Sequence, residues 1–296
     1  VAPVDFGPVS IIGLGVIGGS VAQSLTRQRV AVRSYTQSAT DAAAAGRAGV
    51  AVARSVADCV AQASLVLIAV PLSARPAVAA EAAAAAPRDA VLLHAGSLQG
   101  ARALGRTTSR PAKARDDMLR RIVGTHPIAG SHRTGFSAAR ADLFAGCVVS
   151  IEARADARTR AGAEWLWRAV GATRFDYRSA DDHDRLMTWV SHLPQLASTA
   201  LADAIASAGV PAEALGPGGR GATRLAASPF EMWSGILAAA GPEAAAAAAA
   251  LESSVHSLRA ALESADLATL ERMWTRARQW REPRDADAMT AADISE

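Results

Sequence analysis

The sequence predicts an α/β fold in two parts: residues 1–180 as a domain built on a mostly parallel sheet, and residues 181–296 as an all-helical domain. Three observations carry this. Short apolar runs alternate with helical stretches through the first part, the pattern of a sheet covered on both faces. A glycine-rich turn joins the first run to the first helix. Beyond about residue 180, apolar residues recur at helical spacing and no strand pattern remains.

Seven strands are expected. The first covers residues 9–12 and leads into GLGVIGGS and an apolar-periodic helix to Leu25. Residues 30–35 make the second, and 64–70 (SLVLIAV, stopped by Pro71) the third. The fourth, 90–94, ends at His94 before the turn AGS; the fifth, 122–125, ends at His126-Pro127. Residues 147–152 and 172–177 complete the set. In the second part, the helix through DDHDRLMTWVSHLPQLASTALADAIASAG should break or bend at Pro194, which has no N–H to donate. LAASPFEMWSGILAAA forms another helix and residues 243–280 a long last one, before a polar, frayed tail after Arg281. The alanine run 244–250 reads as helix of high propensity.

Gly13, Gly15 and Gly18 form GxGxxG directly after a strand and directly before a helix. The first glycine permits the tight turn, the second lets a pyrophosphate approach the backbone, and the third lets helix and strand pack closely. The helix start at Val16, Ile17 and Gly18 offers free N–H groups and partial positive charge to the phosphates. This is the fingerprint of a Rossmann nicotinamide-dinucleotide domain, with Val70 and Pro71 after the third strand as further contacts. An acidic residue is expected after the second strand if the ribose keeps a free 2′-hydroxyl; Thr36 stands there instead. The expected cofactor is therefore NADP, with NAD possible, and Arg33 is a candidate partner for the 2′-phosphate.

The chain has 296 residues, half hydrophobic and one fifth charged, with a net charge of +3. Arginines are scattered among acids rather than grouped with aromatics, which argues against nucleic-acid binding. No apolar stretch is expected to reach the length of a membrane span, because Arg, Asp, Gln or Ser interrupts every run, and VAPVDFGPVS has no basic region followed by an apolar one. Cys59 and Cys147 make no disulfide framework, so a cytoplasmic, reduced protein is expected.

Three segments go beyond a generic dinucleotide-binding chain: VGTHPIAGSHRTGFSAARADLFAG (123–146), HDRLMTWVSHLPQLAS (183–198) and GGRGATRLAASPFEMW (218–233). With GLGVIGGS, their order and spacing resemble the prephenate/arogenate dehydrogenase family over residues 9–280. The resemblance implies a Rossmann domain, a helical domain that forms a homodimer, and a site in the cleft between them. It also implies the reaction: hydride leaves the hydroxyl-bearing carbon of a cyclohexadienol for the nicotinamide, the ring carboxylate leaves as carbon dioxide, and the ring becomes aromatic. The products are tyrosine or its keto-acid precursor.

Removing the hydroxyl proton needs a neutral imidazole near pH 7. His126 sits at the sheet's C-terminal edge, where ligands of such sheets bind, and matches the family's catalytic histidine. Ser97 matches the serine that hydrogen-bonds the same hydroxyl, though it is also an ordinary turn serine. Arg224 matches the arginine for a substrate carboxylate, a role suited to a planar fork of donors; on composition alone it is one surface arginine among many. Ser191 and His192 match positions lining the site, and His192 is equally readable as a structural histidine at the domain junction. Trp233 reads as core or cleft wall. The acidic cluster around His183 and Asp184 reads as a helix cap rather than a metal site, and no metal is expected.

Several positions depart from the family pattern. His94 stands where an acidic residue is usual, His132 where glutamate is frequent, and Gly219 and Gly221 where an aromatic and an aspartate are. Gln195 replaces a histidine that contacts the substrate side chain in prephenate users, which moves the expected substrate towards arogenate or both. Two rivals remain: a non-catalytic dinucleotide-binding paralogue, and a hydroxyacid dehydrogenase with a catalytic lysine. The only lysine, Lys113, lies in a polar stretch of the first domain, which argues against the second.

Overall fold

Eight strands form one sheet in a computed structural model that describes residues 6–104, 120–129 and 133–282. Lys113 and His132 lie outside the described residues. The strands are β1 (Val9–Ile12), β2 (Val32–Tyr35), β3 (Ala51–Val52), β4 (Leu65–Ile68), β5 (Val91–Ala95), β6 (Ile122–Pro127), β7 (Val148–Glu152) and β8 (Arg174–Arg178). Their order is β3-β2-β1-β4-β5-β6-β7-β8, and all neighbours are parallel except β6 and β7. β3 is the strand missed in the sequence: two exposed residues on the edge carry no apolar pattern.

The central strands β1, β4 and β5 are buried at every position, as expected of parallel strands covered on both faces. Alternate residues divide between two cores. Val9, Ile11, Leu65, Leu67 and Leu93 face α1 (Val16–Arg27) and a later helix, α5 (Ala157–Ala169), which brings Leu166 and Trp167. Ile12, Val66, Ile68 and Leu92 face α3 (Val56–Val60) and α4 (Arg75–Ala85). The helix between, α2, spans Ala39–Arg47. The chain order reverses between β1 and β4, so the carboxyl ends of these two strands open the crevice where such sheets bind ligands.

After β8 the described chain is helical. α6 (Ala180–Met187) passes through a π-helical turn (Thr188–His192) into α7 (Leu193–Ser207). The expected break at Pro194 is thus a widened turn just ahead of the proline, which places Pro194 in the first turn of α7, where a missing N–H costs little. α8 (Pro217–Thr223) follows, then α9 (Phe230–Glu263) and α10 (Leu267–Arg281).

The last two helices are divided differently from the expectation. α9 runs through Pro242, and the break comes at residues 264–266, where Ala265 has φ +52° and Asp266 caps α10 by accepting from the Thr269 N–H at 3.0 Å. By length and composition α9 also meets the requirement for a membrane span, so the expectation that no stretch does is corrected. Alanine, rather than large apolar side chains, supplies much of its apolar character.

Candidate active site

The glycine turn has the geometry the motif requires. Gly13 has φ +98°, and a Cβ there would lie 2.5 Å from the Ala69 carbonyl oxygen. A Cβ on Gly18 would lie 1.9 Å from the Gly13 oxygen, so helix and strand could not approach as they do. Gly15 differs: nothing stands within 4 Å of its missing Cβ. It precedes an α1 with no side-chain cap, so the N–H groups that open the helix at Val16, Ile17 and Gly18 have no capping side chain. Open space beside uncapped donors fits a dinucleotide pyrophosphate. Val70 (half-buried) and Pro71 (exposed) follow β4 beside this turn.

Thr36 follows β2 and is half-buried; its hydroxyl accepts from the Ser38 N–H at 3.2 Å. Arg33 is not free for a 2′-phosphate, because it pairs with Asp58 at 2.6 Å. That pair holds the Asp58 carboxyl below its ordinary value. Asp41, the nearest carboxylate in sequence, accepts from the Phe136 N–H at 2.8 Å.

The second half of the site lies along the same sheet edge. After β5, the turn carrying Ser97 is held by the Gly96 N–H, which donates to the Thr125 carbonyl at 3.1 Å. Arg75, from the first turn of α4, lies against Gly96 so closely that a Cβ would meet its guanidinium at 2.2 Å. This arginine is buried, and burial pushes it down to about 10. His94 is buried beneath the turn, and burial first, then the Arg75 and Arg154 charges, hold it well below the ordinary imidazole value. It is neutral there, so the departure from an acidic residue exchanges a charge for an uncharged ring.

His126 lies inside β6 rather than after it, paired in register with Ser150 of β7. Its Nδ1 is 3.0 Å from Nε2 of His183, and the His183 Nδ1 is 2.8 Å from the Asp184 carboxylate. Asp184 also accepts from the backbone N–H groups of Gln99 and Gly100, each at 2.8 Å. The helix-cap reading of His183 and Asp184 is therefore corrected. Ser179 caps α6, accepting from the Asp182 N–H at 3.1 Å, while His183 and Asp184 join the helix to the sheet edge. Burial first, then the His183 charge, lowers His126 to about 3. It is thus a neutral acceptor throughout the physiological range.

The remaining candidates lie on the helices. His192, in the π turn, is fully buried and stands edge-on to Trp233 with ring centroids 6.1 Å apart. Neither of its ring nitrogens, nor Trp233 Nε1, has a hydrogen-bond partner among the described residues. Ser191 is half-buried beside it. Gln195 donates through Nε2 to the Leu225 carbonyl at 2.9 Å, which ties α7 to the short turn Arg224–Ala227. Its Oε1 is buried without a partner among the described residues. Arg224 is exposed at the head of that turn. Gly219 and Gly221 lie in α8, so the segment before Arg224 is helix rather than altered loop. Among the described residues no cluster of potential metal ligands occurs.

The structure thus joins His126 to His183 and Asp184, Asp184 to the loop after Ser97, and Gln195 to the turn of Arg224. The contacts of His183, Asp184 and Arg75 are not legible in the sequence. For the pair, one signal existed: a cap at Ser179 leaves Asp184 a full turn inside the helix, where capping no longer needs it.

Comparison with known proteins decides the family. Residues 21–172 match the model of the prephenate dehydrogenase nucleotide-binding domain, and residues 179–275 that of the prephenate dehydrogenase dimerization domain. The chain belongs to the prephenate dehydrogenase family. Within the family it is 31% identical over 244 residues to cyclohexadienyl dehydrogenase of Zymomonas mobilis, covering 78% of this chain and 80% of the relative. It is 26% identical to prephenate dehydrogenase of Bacillus subtilis, covering 77% of this chain and 63% of that one. In fold it is similar to prephenate dehydrogenase of Aquifex aeolicus in complex with hydroxyphenyl propionate and NAD+, with TM-score 0.77, 24% identity, and 92% and 96% of the two chains covered. Synechocystis arogenate dehydrogenase gives TM-score 0.73 at 18% identity, with 92% and 98% covered. Both rivals from the sequence are weaker than family membership: the hydroxyacid dehydrogenase reading has no lysine among the described residues, and the non-catalytic reading must account for an organised histidine cluster.

Proposed function

We propose that the chain oxidatively decarboxylates arogenate, prephenate or both, yielding tyrosine or 4-hydroxyphenylpyruvate. The observation that carries this is His126, a neutral imidazole held by a second histidine at the sheet edge that the dinucleotide turn shares. A bound nicotinamide supplies the hydride acceptor. His126 takes the proton of the ring hydroxyl, and Ser97, in the adjoining turn, orients that hydroxyl by hydrogen bonding. Arg224 pairs with a substrate carboxylate through its guanidinium. Ser191 and His192 line the ring, with unpaired buried nitrogens on His192 supporting a polar ligand there. Loss of the ring carboxylate as carbon dioxide leaves an aromatic product.

Gln195 favours arogenate. With Nε2 engaged by Leu225, its free buried Oε1 is an acceptor, and the arogenate side chain carries an ammonium donor where prephenate carries a keto oxygen. For the cofactor we propose that both dinucleotides serve, NADP being tolerated because Thr36 replaces an acidic residue and Asp41 is engaged elsewhere. The engagement of Arg33 with Asp58 removes the cation that would have favoured NADP strongly. We further propose a cytoplasmic homodimer formed through α9 and α10, which expose Val255, Leu262, Leu267, Trp274 and Trp280. Following reduced nicotinamide with arogenate and with prephenate, each with NAD and with NADP, tests the reading. Turnover with arogenate in at least one pairing is expected, and none in all four would overturn it.

A further inference from the structure

We propose that His183 and Asp184 are positioning residues for this reaction, which together hold His126 in the tautomer whose Nε2 is bare. The inference rests on the proposed role of His126 as the base. The hydrogen-bond directions follow from Asp184. One carboxylate oxygen accepts from the Gln99 N–H and the other from the Gly100 N–H, so the group acts only as an acceptor there. His183 Nδ1, 2.8 Å from the same carboxylate, must then carry its proton. With that proton on Nδ1, the uncharged form of His183 presents a lone pair at Nε2. His126 Nδ1 faces that lone pair at 3.0 Å and must carry a proton in turn. What remains on neutral His126 is an unprotonated Nε2, the atom a base requires.

Burial keeps the His126 ring neutral at rest. His183 is buried, with 1% of its surface exposed. The charged and titratable groups facing His126 are His183 and Asp184 from α6, Arg75 from α4, His94 from β5 and His192 from the π turn. Asp184 is the only anion among them. When the substrate O–H bond breaks and Nε2–H forms, His126 becomes a cation whose Nδ1–H still donates to His183. Asp184 then stabilises that charge through the intervening ring, and no further proton need move. The same carboxylate holds the two N–H groups just past Ser97, so base and hydroxyl partner are set by one group.

The experiment has two arms. Histidine-selective nitrogen NMR on the full-length wild-type protein, with His126→Asn used to assign the signal, reads the tautomer directly. A protonated Nδ1 and bare Nε2 on neutral His126 are expected, and a protonated Nε2 would overturn the proposal whichever substrate the enzyme takes. In the kinetic arm, His183→Leu removes the acceptor and should lower kcat about a hundredfold, with KM for substrate and dinucleotide changed less than about threefold. His183→Gln restores an amide oxygen that can accept the same proton and should recover about tenfold of that loss. Equal loss in the two variants, an unchanged kcat, or an effect on KM alone would overturn it. Should His183→Leu fail to fold, the wild-type spectrum still decides. Absence of turnover in wild type bears on the substrate reading and leaves the spectrum valid.

Discussion

The glycine turn and the histidine cluster lie at the same edge of one sheet, yet they are built from opposite materials. The turn is backbone: three missing side chains, a positive φ and an uncapped helix start, all within six residues of chain, Gly13 to Gly18. The cluster is side chain: His126 of β6, His183 and Asp184 of α6, and the loop after β5, drawn together across 57 to 85 residues of sequence. A backbone site is damaged by adding atoms and a side-chain site by removing them. The first has the form of a site for a group common to many enzymes, whereas the second is proposed to perform chemistry particular to one family.

The largest effect should come from the cluster. His126→Ala should lower kcat by about two to four orders of magnitude while leaving dinucleotide affinity nearly intact. A rate close to wild type would take His126 out of the mechanism. Next, Arg224→Ala should raise KM for substrate by about ten- to a hundredfold, the worth of a charge-assisted pair, with a smaller effect on kcat. A change confined to the KM for dinucleotide would move Arg224 to the other site. In the turn, Gly15→Ala should weaken dinucleotide binding about tenfold without lowering the melting temperature, because the new methyl meets only the space a pyrophosphate would occupy. Gly18→Ala, with its Cβ 1.9 Å from a backbone oxygen, should destabilise the fold itself; calorimetry and dinucleotide titration on both variants separate the two roles.

The smallest effect concerns pH. Burial holds His126, His94 and His192 below the ordinary imidazole value of 6.5, His126 at about 3. The unfolded chain protonates these groups more readily than the folded one, so their contribution is complete above pH 6.5 and is lost as pH falls towards the folded values. The melting temperature should therefore decline from pH 6.5 to about pH 4, a flat profile arguing against buried neutral rings.

The contrast also explains what could be read from the chain. Glycine roles, the apolar runs of β1, β4 and β5, and the position of His126 are local records, written in a few consecutive residues. β3 was not legible because two exposed residues on an edge leave no pattern. The end of α9 was missed because its stop is a capping aspartate and one positive φ within an otherwise helical run, while Pro242, the louder signal, is accommodated inside the helix. His183 and Asp184 were misread because an acidic residue near a helix start usually caps it. Their partners, Gln99, Gly100 and His126, become neighbours only once the helix docks on the sheet edge.

The docking of Asp184 constrains how this molecule could be recombined with its relatives. A hybrid joining this sheet to another member's helices would inherit the incoming substrate contacts, but its imidazole on β6 would be supported only if the donor helix also brought histidine and an acid in matching register. Exchange of specificity between family members therefore requires that graft and host agree at those two adjacent positions.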